Sequence, residues 1–185
     1  MPSKLTLSKF KFSNLPSSAS IALIGKRRSG KSTWAIYFAY NLIQKLKRFQ
    51  RTLLIIGNKD GMQEWGQYVP GKFIKPGDLS YIDSLISYQD MLLKKNKKIL
   101  PHQEVLLVID DCGYNKEFMY SNTVSNLVMN GRHYGITCIF CLQHMYQLSP
   151  NCRPNMDLCC LVACPSKRDM IKIANEYASQ FTPKQ

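Results

Sequence analysis

Apolar residues occur along the chain in short unbroken runs, which alternate with longer stretches of helical spacing. Almost no polar residue interrupts five of these runs, at residues 20–24, 53–56, 105–109, 136–142 and 158–163. Strands that lack polar alternation are buried on both faces, as in parallel sheets covered by helices. The pattern therefore predicts one α/β domain, a three-layer sandwich whose mostly parallel central sheet has about five strands.

The stretches between these runs predict four helices and one long loop. Apolar residues recur at helical spacing in residues 31–49, 78–98, 116–130 and 166–178. The first of these helices is apolar almost all round as far as Tyr40, which predicts that its first half is buried. Residues 58–77 hold four glycines and two prolines and are predicted to be mostly loop. Residues 1–19 alternate between polar and apolar and form an N-terminal arm or an edge strand, before a main domain at 20–180.

The charge balance indicates a polyanionic partner. In 185 residues, 25 lysines and arginines oppose 12 acidic residues, which gives a formal net charge of +13. A small anionic ligand needs only a few cations, so nucleic acid is the simplest partner for this excess. A solvated basic surface without a specific partner is the alternative.

Targeting and redox signals are few. No run reaches the ~18 apolar residues that a membrane span needs, and the basic N-terminal segment lacks a long apolar stretch. Seven cysteines at irregular spacing fit a reducing compartment. Cys138 and Cys141 have the spacing of a zinc ligand pair, but one predicted strand would place them on opposite faces. We therefore expect a soluble intracellular protein without a membrane partner.

The segment GKRRSGKS at residues 25–32 matches the phosphate-binding pattern G-x-x-x-x-G-K-[ST] in full. It follows a predicted strand and opens a predicted helix, so that backbone N–H groups and the helix N-terminus can face a phosphate. We predict that Lys31 contacts the β- and γ-phosphates of ATP and that Ser32 coordinates Mg²⁺. The predicted nucleotide-binding residues are Gly25, Lys26, Arg27, Arg28, Ser29, Gly30, Lys31, Ser32 and Thr33.

Polar residues also follow two other buried strands. Asp110 and Asp111 come directly after residues 105–109. A carboxylate there can hold Mg²⁺, so we assign Asp110 to the metal. Asp111 could orient or deprotonate the attacking water, or serve as a cap or loop residue. Gln143 ends the run at 136–142, where it could sense the γ-phosphate or be an ordinary loop glutamine.

Three further features occur in a specific order. These are the segment NGRHYGI at residues 130–136, Gln143 after the next strand, and the segment RPN at residues 153–155. In this combination, residues 20–178 resemble the FtsK–HerA superfamily of DNA-pumping ATPases. Within this superfamily they resemble the genome-packaging ATPases of poxviruses, giant viruses, virophages and related mobile elements.

The resemblance implies a RecA/ASCE-like P-loop fold and Mg²⁺-dependent hydrolysis of ATP to ADP and phosphate. It also implies a homo-oligomeric ring that threads double-stranded DNA into a capsid without reading its sequence. A capsid or portal protein is then a possible partner. The implied location is the host cytoplasm, nucleus or virus factory, or the virion.

Site roles follow from the same resemblance. Lys31, Ser32 and Asp110 match the nucleotide and metal positions of the family, and Gln143 matches its sensor. Arg132 matches a position proposed as an arginine finger, which a subunit supplies to its neighbour, and Arg153 is a second candidate. Many members carry glutamate in place of Asp111, and aspartate is one methylene shorter.

Other classes of P-loop protein make different demands on the sequence. A GTPase is rejected because Asn58-Lys59-Asp60, which superficially resembles a guanine-reading motif, precedes the D-x-x-G segment at 110–113. A small-molecule kinase, or another P-loop NTPase that does not act on DNA, stays open as the alternative. Kinases usually carry an arginine-rich lid, whereas residues 143–154 hold one arginine. A degenerate, non-enzymatic scaffold is disfavoured by the intact Lys31, Ser32 and Asp110.

Overall fold

The fold is built on six parallel strands, as seen in a computed structural model that describes residues 8–162 and 166–177. The strands are β1 (Ser20–Ile24), β2 (Arg51–Ile56), β3 (Ile74–Pro76), β4 (Val105–Asp110), β5 (Ile136–Leu142) and β6 (Leu158–Leu161). Their order across the sheet is β3-β2-β4-β5-β1-β6. Every residue of β1, β4 and β5 is buried, which confirms the parallel sheet predicted from the unbroken apolar runs.

Helices cover both faces of this sheet. They are α1 (Lys31–Tyr40), α2 (Lys59–Gly66), α3 (Leu79–Asn96), α4 (Lys116–Met119), α5 (Asn122–Asn130) and α6 (Lys167–Tyr177). Helices α1 and α2 pack on one face, and α3 to α6 pack on the other. Cys138 and Cys141 of β5 belong to the cores on opposite faces, as their spacing in one strand predicts. The three-layer sandwich is therefore confirmed.

The prediction of a loop at 58–77 is wrong, because this segment contains α2 and the sixth strand, β3. The side chain of Asn58 caps α2 by accepting the Gly61 N–H at 2.6 Å, and Trp65 anchors the helix with 1% exposure. Gly61 and Gly66 lie within α2, and they obscured the helical spacing of its apolar residues in the sequence. Strand β3 is three residues long, which is too short for a periodicity to show.

The predicted burial of residues 31–40, which form the whole of α1, is only partly correct. Trp34, Tyr37 and Tyr40 are about half exposed, at 47%, 47% and 53%. They lie three residues apart, so they form one outer strip, while Ala35 and Phe38 face the sheet. A helix with apolar residues on all sides can thus leave its outer side exposed to solvent when no other element packs against that side.

The helix predicted at 31–49 is shorter in the structure, because α1 continues as a π-helical segment at Asn41–Lys45 and then ends. Most other boundaries agree closely with the sequence patterns. The helix predicted at 116–130 is divided into α4 and α5, whose N-terminal cap is Ser121. Residues 8–19 contain a short 3₁₀ turn at Phe12–Asn14 instead of a strand, and Phe12 packs against Phe38 with ring centroids 4.7 Å apart. Residues 1–7 of the predicted arm, 163 of the last predicted strand and 178 of the last predicted helix lie outside the described residues.

No helix within residues 8–162 and 166–177 is both long and apolar enough to cross a bilayer.

The position of β5 between β1 and β4 determines where polar residues meet. The Gly25 N–H continues the β1–β5 pairing by donating to the Leu142 carbonyl at 3.0 Å, and Asp110 pairs in register with Cys141. The segments that follow β1, β4 and β5 therefore leave the same edge of the sheet side by side. This edge, where parallel strands end, is where open α/β sheets bind ligands.

A close backbone contact supports this edge at Gly57, which follows β2. The Gly57 N–H donates to the Asp110 carbonyl at 2.9 Å. A Cβ atom on Gly57 would lie 2.0 Å from the carbonyl oxygen of Asp111. Only glycine allows the two chain segments to approach this closely.

Gly57→Ala should lower the free energy of unfolding by about 1–3 kcal/mol, because the backbone of Asp111 must move away from the new methyl group. Denaturant unfolding measures this change. Gly66→Ala is the matched control, since a Cβ atom there meets nothing within 4 Å, and it should be neutral or slightly stabilising. Equal effects of the two substitutions would contradict the steric argument.

Candidate active site

The phosphate loop runs from β1 into α1 with the geometry that its sequence predicts. Gly30 has a left-handed backbone, with φ of 84°, and Lys31 is the first residue of α1. Gly30 offers no side-chain cap and the first turn holds no acidic residue, so the N–H groups of this turn stay available. A helix end of this kind attracts anions through its N–H groups and its dipole.

Side chains add cations and hydroxyls to this loop. The Lys31 ammonium donates to the Lys26 carbonyl at 3.0 Å, which holds it against the loop. Lys26, Arg27 and Arg28 are exposed, and so is Thr33, whereas Ser32 is half-buried. The Ser29 hydroxyl is buried and has no hydrogen-bond partner among the described residues. A phosphate oxygen would satisfy such a group.

Asp110 is a buried carboxylate at the end of β4, with 4% exposure. Its Oδ2 accepts the indole N–H of Trp65 at 3.0 Å, from the last turn of α2. This bond leaves other lone pairs of the carboxylate free and fixes its plane. Trp65 therefore orients the residue that the sequence assigns to the metal.

Asp111 is exposed and has φ of 56°, a left-handed conformation that aspartate tolerates better than most residues. Its carboxylate accepts a hydrogen bond from the side-chain amide of Asn58. Asn58 thus contacts Asp111 with its nitrogen and caps α2 with its oxygen. Both neighbouring aspartates are held by residues of one short helical segment.

The donor chemistry fits Mg²⁺. The Ser32 hydroxyl and the Asp110 carboxylate are hard oxygen ligands, the kind that this ion prefers. Burial raises the pKa of the nearby Cys112 thiol to about 12, and the charges of Asp110 and Asp111 add to that rise. Within the described residues, no cluster of three His, Cys, Asp or Glu side chains forms an all-protein cage. Nucleotide phosphates and water would complete the shell.

Gln143 follows β5 and is half-buried beside the phosphate loop. Its backbone N–H donates to Gln147 Oε1 at 2.6 Å, and the His144 N–H donates to the same oxygen at 3.2 Å. The His144 ring nitrogen Nδ1 lies 2.8 Å from the buried Asp169 carboxylate, at the start of α6. These contacts determine the course of the chain from which the predicted sensor projects.

The two candidate arginine fingers are in different environments. Arg132 is exposed in the turn before β5, and Gln143 follows the other end of that strand. Seven strand residues span about 23 Å, so Arg132 lies at the edge opposite its own phosphate loop. Arg153 is buried, with 6% exposure, and its Nε donates to the Leu148 carbonyl at 3.0 Å. The environment of Arg153 favours a structural role, and only Arg132 is free to reach another molecule.

Sequence reasoning missed three residues that support this site: Asn58, Trp65 and Gln147. Asn58 could have been found, because it is a polar residue just after a predicted strand that neighbours β4. Trp65 and Gln147 act from positions that no spacing rule connects to Asp110 or Gln143.

Comparison with known proteins identifies the family of this chain. The sequence model of the family described as "Poxvirus A32 protein" matches residues 7–180. "Uncharacterized protein L437" of Acanthamoeba polyphaga mimivirus is 28% identical over 96% of this chain and 64% of its own length. "Uncharacterized protein 075L" of Invertebrate iridescent virus 6 is 29% identical over 78% of this chain and 54% of its own length. The chain thus spans between about half and two thirds of the length of these relatives.

Solved structures show the same fold. The genome packaging NTPase B204 from Sulfolobus turreted icosahedral virus 2, in complex with ATP-γ-S, superposes with a TM-score of 0.63 and 18% identity. The match covers 92% of this chain and 90% of that one. The cytoplasmic domain of EssC superposes with a TM-score of 0.68 and 11% identity, covering 84% of this chain and 35% of that one. The match over residues 7–180 shows that the chain belongs to the Poxvirus A32 protein family.

Proposed function

We propose that this protein couples ATP hydrolysis to the movement of double-stranded DNA during the packaging of a viral genome. The proposal rests on the positions of the predicted site residues, which lie at two opposite edges of the sheet. The phosphate loop, Asp110 and Gln143 meet at one edge of the sheet, while the exposed Arg132 lies at the other. A complete site then needs two copies of the chain.

The proposed chemistry follows from charge. Phosphoryl transfer to water spreads negative charge over the γ-phosphate oxygens. Lys31 and the N-terminus of α1 would stabilise that charge from within the chain. Bound Mg²⁺, held by Ser32 and Asp110, would neutralise part of the charge on the β- and γ-oxygens. Asp111 would orient or deprotonate the water, and Gln143 would contact it or the γ-phosphate.

A homo-oligomeric ring supplies the missing arginine. In a closed head-to-tail ring, one edge of each subunit can face the opposite edge of the next. Arg132 of one copy would then meet the phosphates bound by its neighbour. Hydrolysis would then depend on assembly of the ring, because each site needs the arginine of a neighbouring subunit.

Double-stranded DNA is the partner that best fits the net charge of +13. Lysine and arginine contacts to phosphates carry no sequence information, so binding would be independent of sequence. The solved packaging NTPase with the same fold supports this assignment by its described role. A capsid or portal protein as a further partner, and a location in the host cytoplasm, nucleus, virus factory or virion, belong to the same proposal.

The kinase alternative receives no support from the described loop after β5. Its one arginine, Arg153, is buried and bonded to Leu148, so it cannot close over a nucleotide as a lid residue does. Transfer to a small molecule would also leave the basic surface without a role.

Double-stranded DNA should raise the ATPase rate of the oligomer, and this stimulation should fall steeply with added salt as phosphate contacts weaken. A phosphate-release assay with two duplexes of unrelated sequence measures both effects. Lys31→Ala is the control and should abolish turnover with either DNA. A rate indifferent to DNA, or one stimulated by a single sequence only, would count against the motor.

Arg132→Ala should retain ATP binding and lose about 10³-fold or more in hydrolysis, the usual value of an arginine finger. Mixing Arg132→Ala with Lys31→Ala should restore partial activity, since some interfaces then pair an intact loop with an intact arginine. Subunit exchange is verified first by mass. If exchange occurs without any recovery, Arg132 does not act across the interface, and Arg153→Lys becomes the next variant to assay.

Trp65→Phe should raise the Mg²⁺ concentration required for tight ATP binding about fivefold, because Asp110 loses a hydrogen bond that fixes its plane. Titration of Mg²⁺ with a fluorescent ATP analogue measures this without relying on turnover. Trp34→Phe, on the exposed strip of α1, is the matched control and should behave as wild type. Identical Mg²⁺ curves for the two variants would show that Trp65 does not position the metal ligand.

A further inference from the structure

A basic cleft lies beside the predicted sensor, on the sheet face covered by α3 to α6. Its volume is about 610 Å³, and its walls come from the segments that follow β4, β5 and β6. Lys116 and Tyr120 line one side of the cleft, and Arg168 of α6 lines the opposite side. His144 and Tyr146 form its floor. None of these residues belongs to the phosphate loop or the metal site.

Two cations in this cleft are held against aromatic rings. The Lys116 ammonium lies 5.4 Å from the centroid of the Tyr120 ring, and the Arg168 guanidinium lies 4.7 Å from that of Tyr146. The Tyr120 hydroxyl donates to the Tyr146 carbonyl at 2.9 Å, which links the segment after β4 to the segment after β5. Contacts with a ring limit the freedom of a long side chain, so the two charges are preorganised.

Both charges are available to an external anion. Lys116 and Arg168 are exposed and form no ion pair within residues 8–162 and 166–177. The one buried acid of the cleft, Asp169, is already engaged by Ser166 at 2.6 Å and His144 at 2.8 Å. Burial acts to raise the pKa of Asp169, but these hydrogen bonds outweigh it and the pKa is lowered. Asp169 Oδ2 thus accepts hydrogen bonds within the cleft, its Oδ1 has no hydrogen-bond partner among the described residues, and Lys116 and Arg168 form an ion pair with neither oxygen.

We propose that this cleft binds the phosphate backbone of double-stranded DNA, with Lys116 and Arg168 each contacting a phosphate. The inference rests on the proposed function and assigns its DNA-contacting surface. Guanidinium and ammonium groups are the usual phosphate ligands, and such contacts are blind to sequence. Lys167, the exposed neighbour of Arg168 at the start of α6, adds a further positive charge next to the cleft.

The cleft is connected to the hydrolytic site through one side chain. Gln147 lines the cleft, and its Oε1 accepts the backbone N–H groups of Gln143 and His144. A Cβ atom on Gly113, in the segment after Asp111, would lie 2.3 Å from Gln147 Nε2, so this segment also packs directly on Gln147. A phosphate drawn into the cleft would therefore press on the segments that carry both the sensor and the second aspartate.

The test measures the affinity for a 30-base-pair duplex by fluorescence anisotropy over a range of salt concentrations. The double variant Lys116→Gln with Arg168→Gln keeps the length of both side chains and removes two charges. The plot of log K against log salt has a negative slope, and each lost phosphate contact reduces its magnitude by about 0.9. The slope of the double variant should therefore be shallower than that of the wild type by about 1.8. The affinity at low salt should fall at least tenfold.

The matched control removes two exposed lysines, one in the last turn of α3 and one just after it, by Lys95→Gln with Lys98→Gln, and should retain the wild-type slope. Binding of a fluorescent ATP analogue confirms that each variant is folded. A wild-type slope in the cleft variant, or an equal loss in the control, would overturn the cleft while leaving the motor proposal intact. Absence of DNA binding by the wild-type protein would overturn both.

Discussion

The backbone hydrogen bond from the Gly25 N–H to the Leu142 carbonyl, at 3.0 Å, ties the phosphate loop to the end of β5. Because β5 lies between β1 and β4, this pairing places the loop, the two aspartates and Gln143 at one edge. Their segments are separated by up to 118 positions along the chain, from residue 25 to 143, so sheet order alone brings them together. Every role assigned to these residues depends on that order.

Helix α2 gives the edge a second support. Asn58 at its start bonds to Asp111, and Trp65 in its last turn bonds to Asp110. A rigid movement of this helix would change both carboxylates together. Helix α2 also packs on the same face of the sheet as α1, the helix that follows the phosphate loop.

The sequence was sufficient for the parts of the fold that rest on long apolar runs or on local motifs. The three fully buried strands and the phosphate loop follow from such signals, and the structure confirms them. Strand β3 and helix α2 escaped, because a three-residue edge strand has no periodicity and Gly61 and Gly66 suggested a loop. The contacts of Trp65 and Gln147 are tertiary, so no pattern along the chain could reveal them. The roles of all the site residues in nucleotide binding and hydrolysis are still predictions, and these residues are Lys31, Ser32, Asp110, Asp111, Gln143, Arg132 and Arg153.

Two surfaces outside the nucleotide site complete the account of a motor. Arg132 at the amino edge would meet a neighbouring subunit, and the cleft beside Gln147 would meet DNA. Movement of DNA is the central claim, and displacement of a labelled third strand from a DNA triplex measures it directly. We expect ATP-dependent displacement that Lys31→Ala abolishes and that does not depend on the sequence of the duplex. ATP hydrolysis without any displacement, by an oligomer that binds the same DNA, would contradict it.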